Sequence, residues 1–97
     1  MPRLSAEGLR RLGAAHREAA ALLALDQLRT LLDPAGVLER WAAAGAIEAR
    51  LKRFEGGAWK LIRRGERAPQ GPIEDALAAL AASSLPRGRR RIFDLLS

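Results

Sequence analysis

The chain has 97 residues, which is enough for one domain with a single core. It contains no cysteine and one histidine, which excludes disulfides and a zinc site built from the usual cysteine and histidine ligands. The longest apolar run, residues 19–25, is too short to cross a bilayer, and the N-terminal residues do not have the pattern of a signal peptide. We therefore expect a cytoplasmic protein that needs no metal or cofactor.

Positive charge is concentrated in two parts of the chain. The formal net charge is +6; residues 50–67 contain seven basic residues against two acids, and residues 87–91 contain four arginines. The rest of the chain has six arginines against nine acids, so the whole excess lies in these two clusters. A surface of this kind attracts polyanions and loses affinity steeply as salt is added. The sequence therefore predicts nucleic acid as a partner.

The first 32 residues have a helical pattern. Because Asp26 can cap a second, short helix, we favour a break near residues 24–26. The alternative is one helix from about residue 5 to residue 32, roughly 40 Å long, which would outrun a domain of this size and suggest a dimer. We interpret His16 as a core or boundary residue rather than a ligand or a base. The residues with helical spacing are Leu9, Leu12, His16, Ala19 and Leu23.

A third helix is predicted from Asp33 to Gly45. Asp33 caps it, the proline that follows occupies the first helical position, and Gly45 ends it in the left-handed conformation. Polar and apolar residues then alternate over residues 46–64, which predicts a β-hairpin with Gly57 in the left-handed position of its loop. One face of the predicted hairpin carries Ile47, Ala49, Leu51, Trp59 and Leu61. The other face carries Arg50, Lys52, Phe54, Lys60, Ile62 and Arg64.

The polar composition of residues 66–71 predicts a linker. Residues 72–97 are predicted to form a C-terminal helical extension with a basic arm. Pro72 opens the first helix of this extension. Its apolar face is Ile73, Leu77 and Leu80, and a last short helix is anchored by Ile92, Phe93, Leu95 and Leu96. The fold expected for residues 1–97 is a single mainly α domain with a two-stranded β-hairpin (α+β), whose core spans residues 5–65.

The order of helix, short helix, tight turn, helix and hairpin resembles the winged helix-turn-helix superfamily. The likeness covers roughly residues 8–65 and rests on the segment 33–47. Many winged-helix proteins enter the wing through a Leu-x-x-Leu-x-x-x-Gly-x-Ile run, and here Leu38, Trp41, Gly45 and Ile47 stand in those places. The resemblance implies a helical core that binds duplex DNA, with the third helix in the major groove and the hairpin as wing. It departs from the pattern in offering Arg40 as the only candidate base reader in that helix.

Binding is therefore expected to be mainly to phosphates, from the hairpin and the basic arm. The protein would act as a transcription regulator or as an accessory factor in replication or chromosome upkeep, and would dimerise through the first helix or the C-terminal helices. No motif of an enzyme active site is found, so we expect no catalysis. The predicted contact residues are Arg40, Arg50, Lys52, Arg53, Lys60, Arg63, Arg64, Arg67, Arg87, Arg89, Arg90 and Arg91, with Phe54 as a candidate for stacking on a base.

Two alternative functions follow from the same residues. The protein could be an adaptor that binds an acidic surface of a partner protein, or it could bind RNA or single-stranded DNA with Phe54 as a stacking surface. Exposure of the apolar residues beside the arginines would favour an adaptor, and their burial would favour nucleic acid. The residues that decide are Phe54, Ile62, Ile92 and Phe93.

Overall fold

All regular structure in the described part of the chain is helical. The computed structural model describes residues 6–85 and 87–96. The predicted α+β fold is wrong, because no strand occurs among these residues and the hairpin expected at 46–64, the wing in the winged-helix resemblance, is helix instead. The helices are α1 (Ala6–Leu32), α2 (Arg40–Gly56), α3 (Ala58–Arg63), α4 (Gly71–Ala81) and α5 (Arg89–Leu95).

Residues 46–56 belong to α2 because their buried side chains follow the helical period. The alternation of Ile47, Ala49 and Leu51 fits a strand, but Ala49 is exposed while its two neighbours are buried. Most residues around them are Ala, Glu, Arg, Leu and Lys, which are strong helix formers, so propensity and packing agree. The buried residues of α2 are Ala43, Ala44, Ile47, Leu51 and Phe54.

The connection between α1 and α2 occupies the residues where a helix start was predicted. Asp33 accepts hydrogen bonds from two backbone N–H groups, that of Val37 to Oδ1 at 3.0 Å and that of Leu38 to Oδ2 at 2.8 Å. Gly36 has a φ of 67°, which a residue with a side chain rarely adopts. The carboxylate of Asp33 therefore closes a loop rather than capping a helix.

Gly45 lies inside α2, so its predicted role as a left-handed helix end is wrong. A Cβ atom added there would be 2.7 Å from Cζ of Arg89, a residue of α5. The glycine therefore lets a guanidinium approach the backbone of α2. A left-handed glycine instead closes α3, where the N–H groups of Gly65 (φ 76°) and Glu66 donate to the carbonyl oxygens of the last turn, each at 3.0 Å.

The helix α1 is uninterrupted, so the predicted break near residues 24–26 is wrong. Residues 15–19 are all exposed, and Oγ of Ser84 donates to Oε1 of Glu18 at 3.3 Å, so this part of α1 runs along the edge of the core. The molecule is accordingly elongated, 49 × 32 × 21 Å, with a radius of gyration of 14.8 Å against about 12.5 Å for a compact chain of this length. The second half of α1 packs on α4 through Ala21, Ala24, Leu25 and Leu28.

The helices α4 and α5 complete one core with α1 and α2. The predicted helix start at Pro72 is confirmed, since this proline lies in the first turn of α4. Leu77 and Leu80 are buried as predicted. Ile92 and Leu96 at the end of the chain are 0% and 4% exposed, and α5 packs mainly on α2. The helices α4 and α5 therefore both pack on the rest of the fold.

Candidate nucleic-acid interface

The junction of α2 and α3 carries most of the first basic cluster. Gly57 separates the two helices with a φ of −131°, so the left-handed conformation predicted for it is wrong. Its N–H donates to the carbonyl oxygen of Phe54 at 3.2 Å, and its own carbonyl oxygen accepts from the N–H of Lys60 at 3.1 Å. The chain therefore passes from one helix into the next without a loop, and cations of both helices meet at one corner.

Four cations at this corner are exposed, and no acidic side chain in the described part of the chain lies within ion-pair distance of them. Three of them are spaced three and four residues apart, so they share one side of α3 and its C-terminal end. By contrast, Nζ of Lys52 lies 3.8 Å from Oε1 of Glu48, one turn earlier in α2. The four can thus contact an external anion without first breaking an ion pair. We call them the corner cations: Arg53, Lys60, Arg63 and Arg64.

A cavity of about 260 Å³ is lined by one of the corner cations, Arg53. Its acid, Glu74, is already neutralised, since Nη2 of Arg67 donates to both carboxylate oxygens at 2.9 Å and the N–H of Gln70 donates to Oε1 at 3.0 Å. Arg67 is therefore a structural residue, whereas half-buried Arg50 and exposed Arg53 leave the cavity with an excess of positive charge suited to an anion. The lining residues are Arg50, Arg53, Phe54, Ala58, Glu74 and Leu77.

Arg87 of the second cluster is held by contacts within the fold. Its Nη2 donates to the carbonyl oxygens of Ala81 and Ser83 at the end of α4, where the helix dipole favours a cation. Its Nε is shielded from solvent and lies 3.2 Å from Oε2 of Glu55, a charge contact without hydrogen-bond geometry. Arg87 thus fastens the end of α4 to α2.

Arg89 is held in a similar way. Its Cζ lies 4.3 Å from the centre of the Trp41 ring, and its Nε donates to the carbonyl oxygen of Trp41 at 3.1 Å. The residue before it, Gly88, has no side chain to cap α5, so Glu48 of α2 supplies the cap by accepting the Arg89 N–H at 2.6 Å. Of the predicted basic arm, the exposed members are Arg90 and Arg91.

Arg40, the predicted base reader, lies at the first residue of α2. Its Cζ is 3.9 Å from the centre of the Phe93 ring, and its Nη1 donates to the carbonyl oxygen of Leu96 at 3.4 Å. The Phe93 ring meets Trp41 edge-on, with centroids 5.5 Å apart. Although Arg40 is exposed, its side chain joins the start of α2 to the end of α5.

The apolar residues that decide between the alternatives are largely withdrawn from solvent. Phe54 is 6% exposed, and its ring packs on that of Trp59 with centroids 5.9 Å apart, so it offers no open face to a base. Ile92 is buried, and Ile62 and Phe93 are half-buried. Other apolar side chains are exposed, among them Leu61 of α3, Leu95 of α5 and a group near the start of α2 that consists of Val37, Leu38 and Trp41.

Glu48 and Glu55, which hold Arg89 and Arg87, were not identified from the sequence. A signal was present, because residues seven apart lie on the same side of a helix. This spacing is informative only when residues 46–56 are recognised as helix. In a hairpin, Glu48 would lie in the first strand and Glu55 in the loop. Their contacts explain why arginines accumulate near the N-terminus of α5, where the helix dipole disfavours them.

The described residues contain no group of three or more side chains that could hold a metal ion, and none of their helices is long and apolar enough to span a membrane. Comparison with family models, with curated proteins and with solved structures gives no match. These comparisons neither support nor oppose the winged-helix resemblance.

Proposed function

We propose that the protein binds duplex DNA through its phosphate backbone, with the corner cations as the main contacts. The observation that carries this proposal is a group of four exposed cations without acidic partners in the described chain, one of which, Arg53, lines a cavity together with a fifth cation, Arg50. Arg and Lys contacts to phosphates release counterions and give affinity that is independent of base sequence. Residues 50–64 contain no Asn, Gln, Ser or Thr that could read base edges. Binding is therefore sequence-tolerant.

Burial supports nucleic acid over a protein partner at this corner. Phe54 is buried and Ile62 is half-buried, and Leu61 is the one large apolar side chain of α3 that is exposed, at 41%, so charge outweighs apolar surface at the corner. The same burial favours a duplex over a single strand, because single-strand binders stack bases on open aromatic faces. A cytoplasmic location, and a role in transcription regulation or in replication and chromosome upkeep, belong to this proposal.

The test is fluorescence anisotropy of a labelled duplex, and of a single strand of equal length, across a salt series. If each corner cation contacts one phosphate, the logarithm of the duplex affinity falls with log salt with a slope of about −3.6. The variant Arg63→Ala/Arg64→Ala should flatten this slope by about 1.8. The matched control is Arg10→Ala/Arg17→Ala, which removes the same charge from exposed positions of α1 and should leave the slope unchanged.

Three results would contradict the proposal. Absence of binding to either strand type at low salt would exclude nucleic acid. Equal losses in the two variants would show that net charge, not the corner, attracts the DNA. A preference for the single strand would overturn the assignment of a duplex.

A second candidate function is an adaptor for another protein, and one observation favours it. Val37 is 80% exposed and Trp41 is 41% exposed, side by side with Arg40 at the start of α2. Apolar side chains grouped next to a cation are typical of protein contacts. The variant Val37→Asp should leave DNA affinity unchanged, and a specific protein partner that is lost with this variant but retained by Arg63→Ala/Arg64→Ala would establish the adaptor function.

A further inference from the structure

Residues 16–23 of α1 carry uncharged and mainly apolar side chains on the side opposite the core. His16, Ala19 and Leu23 are spaced by three and four residues and are all exposed, with Leu23 at 59%. At 100° per residue they lie about 150° around the helix axis from the buried residues of the second half. Leu9 and Leu12 continue the same spacing in the sequence. We call residues 9, 12, 16, 19 and 23 the α1 seam.

The seam and the positions beside it are uncharged. Between residues 9 and 23, all charged residues occupy positions of the helical repeat that lie outside the seam and its neighbours. Because the seam is uncharged, it does not attract a polyanion as the positively charged corner does, although the protein has a net charge of +6. The residues beside the seam are Gly8, Gly13, Ala15, Ala20 and Leu22.

We propose that the seam binds a second copy of this chain, with the two α1 helices antiparallel and a two-fold axis at His16. This axis relates positions at equal distances from His16, and Leu9 and Leu23 lie seven positions before and after it. Leu12 and Ala20 lie four positions before and after it. The two-fold axis therefore sets leucine opposite leucine at both ends and a large residue opposite a small one between them, which is the self-complementarity that a symmetric interface requires.

Charge selects the antiparallel orientation. Residues 33–97 contain ten arginines and two lysines against eight acids, so the part of each copy beyond α1 is positive. A parallel pair would place these two positive bodies side by side, whereas an antiparallel pair places them at opposite ends of the contact. His16, Ala19 and Leu23 are exposed on the seam side of α1, and the partner helix therefore meets no obstacle there.

The size of the contact indicates a weak dimer. An overlap from residue 9 to residue 23 is about 22 Å long and about 10 Å wide. Such a strip is smaller than the ~800 Å² that each partner buries in a standard stable interface. We expect a dissociation constant in the micromolar range or above, so that the dimer appears only as the protein is concentrated.

Sedimentation velocity tests the dimer over a range from about 1 μM to about 1 mM. The wild-type sedimentation coefficient should rise with concentration, and Leu23→Glu should remain monomeric throughout, because it places a charge in each end of the strip. The matched control Arg17→Glu introduces the same residue at an exposed position on the other side of α1 and should behave as the wild type. Circular dichroism verifies that both variants retain the helix content. A wild type that stays monomeric, or equal behaviour of the two variants, overturns the proposal.

Cross-linking tests the orientation, because the chain contains no cysteine. A single thiol introduced by His16→Cys lies at the proposed two-fold axis, and mild oxidation should link two copies efficiently. Thiols introduced by Leu23→Cys lie about 21 Å apart in the antiparallel dimer and should link no faster than those of Arg17→Cys. Efficient linking at position 23 as well as 16 would indicate a parallel pair and overturn the orientation.

Discussion

The two arginine clusters look alike in the sequence and have different environments in the fold. In the C-terminal cluster, Arg87 and Arg89 bind carbonyl oxygens, carboxylates and an aromatic ring of other elements. At the corner, Arg63 and Arg64 are exposed and have no acidic partner in the described chain. The number of arginines in a segment therefore does not measure the charge that the segment offers to a ligand.

The difference arises from the two sides of α2. One side presents Glu48, Glu55 and the Trp41 ring to α5, so arginines arriving there find carboxylates and a π face. Another side presents Arg50 and Arg53 to the cavity, where the one carboxylate in the lining is already paired with Arg67 of the same region. Arginines that pack on the Glu48 side of α2 are therefore structural, whereas arginines on the cavity side remain available to bind a ligand.

The largest effect on stability is expected for Arg87→Ala. The substitution leaves the last carbonyl oxygens of α4 without their donor and Glu55 without its cation, which should lower the free energy of unfolding by about 2 kcal/mol. The matched variant Arg63→Ala should change it by less than about 0.5 kcal/mol. Urea unfolding monitored by circular dichroism measures both, and equal losses would remove the distinction between the clusters.

A smaller loss is expected for Arg89→Lys. Lysine keeps the charge, but it cannot stack a planar guanidinium on Trp41 and donate from Nε to its carbonyl oxygen at the same time. We expect a loss of about 1 kcal/mol in the same unfolding experiment. Arg90→Lys, at an exposed neighbouring position, is the control and should have no measurable effect. A similar result for the two would mean that Arg89 contributes only its charge.

The smallest net effect is expected for Gly45→Ala. Alanine favours the helix over glycine by roughly 0.5–1 kcal/mol, but its Cβ displaces the Arg89 guanidinium from its place over α2. These effects oppose each other, so the single substitution should change stability by less than about 0.5 kcal/mol. In an Arg89→Ala background the same substitution should stabilise by about 1 kcal/mol. A double-mutant cycle measures the difference, and its absence would show that the close approach of Arg89 is unimportant.

The sequence predicts parts of the fold whose signals are local. Pro72 and the apolar spacing after it indicate α4 correctly, because a proline at a helix start and an apolar face need no distant partner. The hairpin prediction fails because Ile47 and Leu51 fit both a strand and a helix, and only burial against α5 and α1 decides between them. The break in α1 fails because Asp26 lies on an exposed side of the helix, where a poor helix former is tolerated.

In the candidate site, too, local features could be predicted from the sequence and contacts between distant residues could not. That the corner residues are basic is evident from the sequence, and their exposure follows from α2 and α3 leaving them outside the core. The structural roles of Arg40, Arg67 and Arg89 could not be predicted, because their partners lie on other elements and carry no local pattern. The burial of Phe54 likewise depends on the helical conformation of residues 46–56, which turns its ring towards the core.

The position of α5 after α2 in the chain has a consequence for synthesis. Ile92 and Leu96 are buried, and α5 covers the face of α2 that carries Trp41 and Glu48. Until these residues have left the ribosome, α2 has an apolar face with nothing to cover it. The nascent protein therefore acquires its native core only after translation of α5, and before that point it is exposed to aggregation and to chaperone binding.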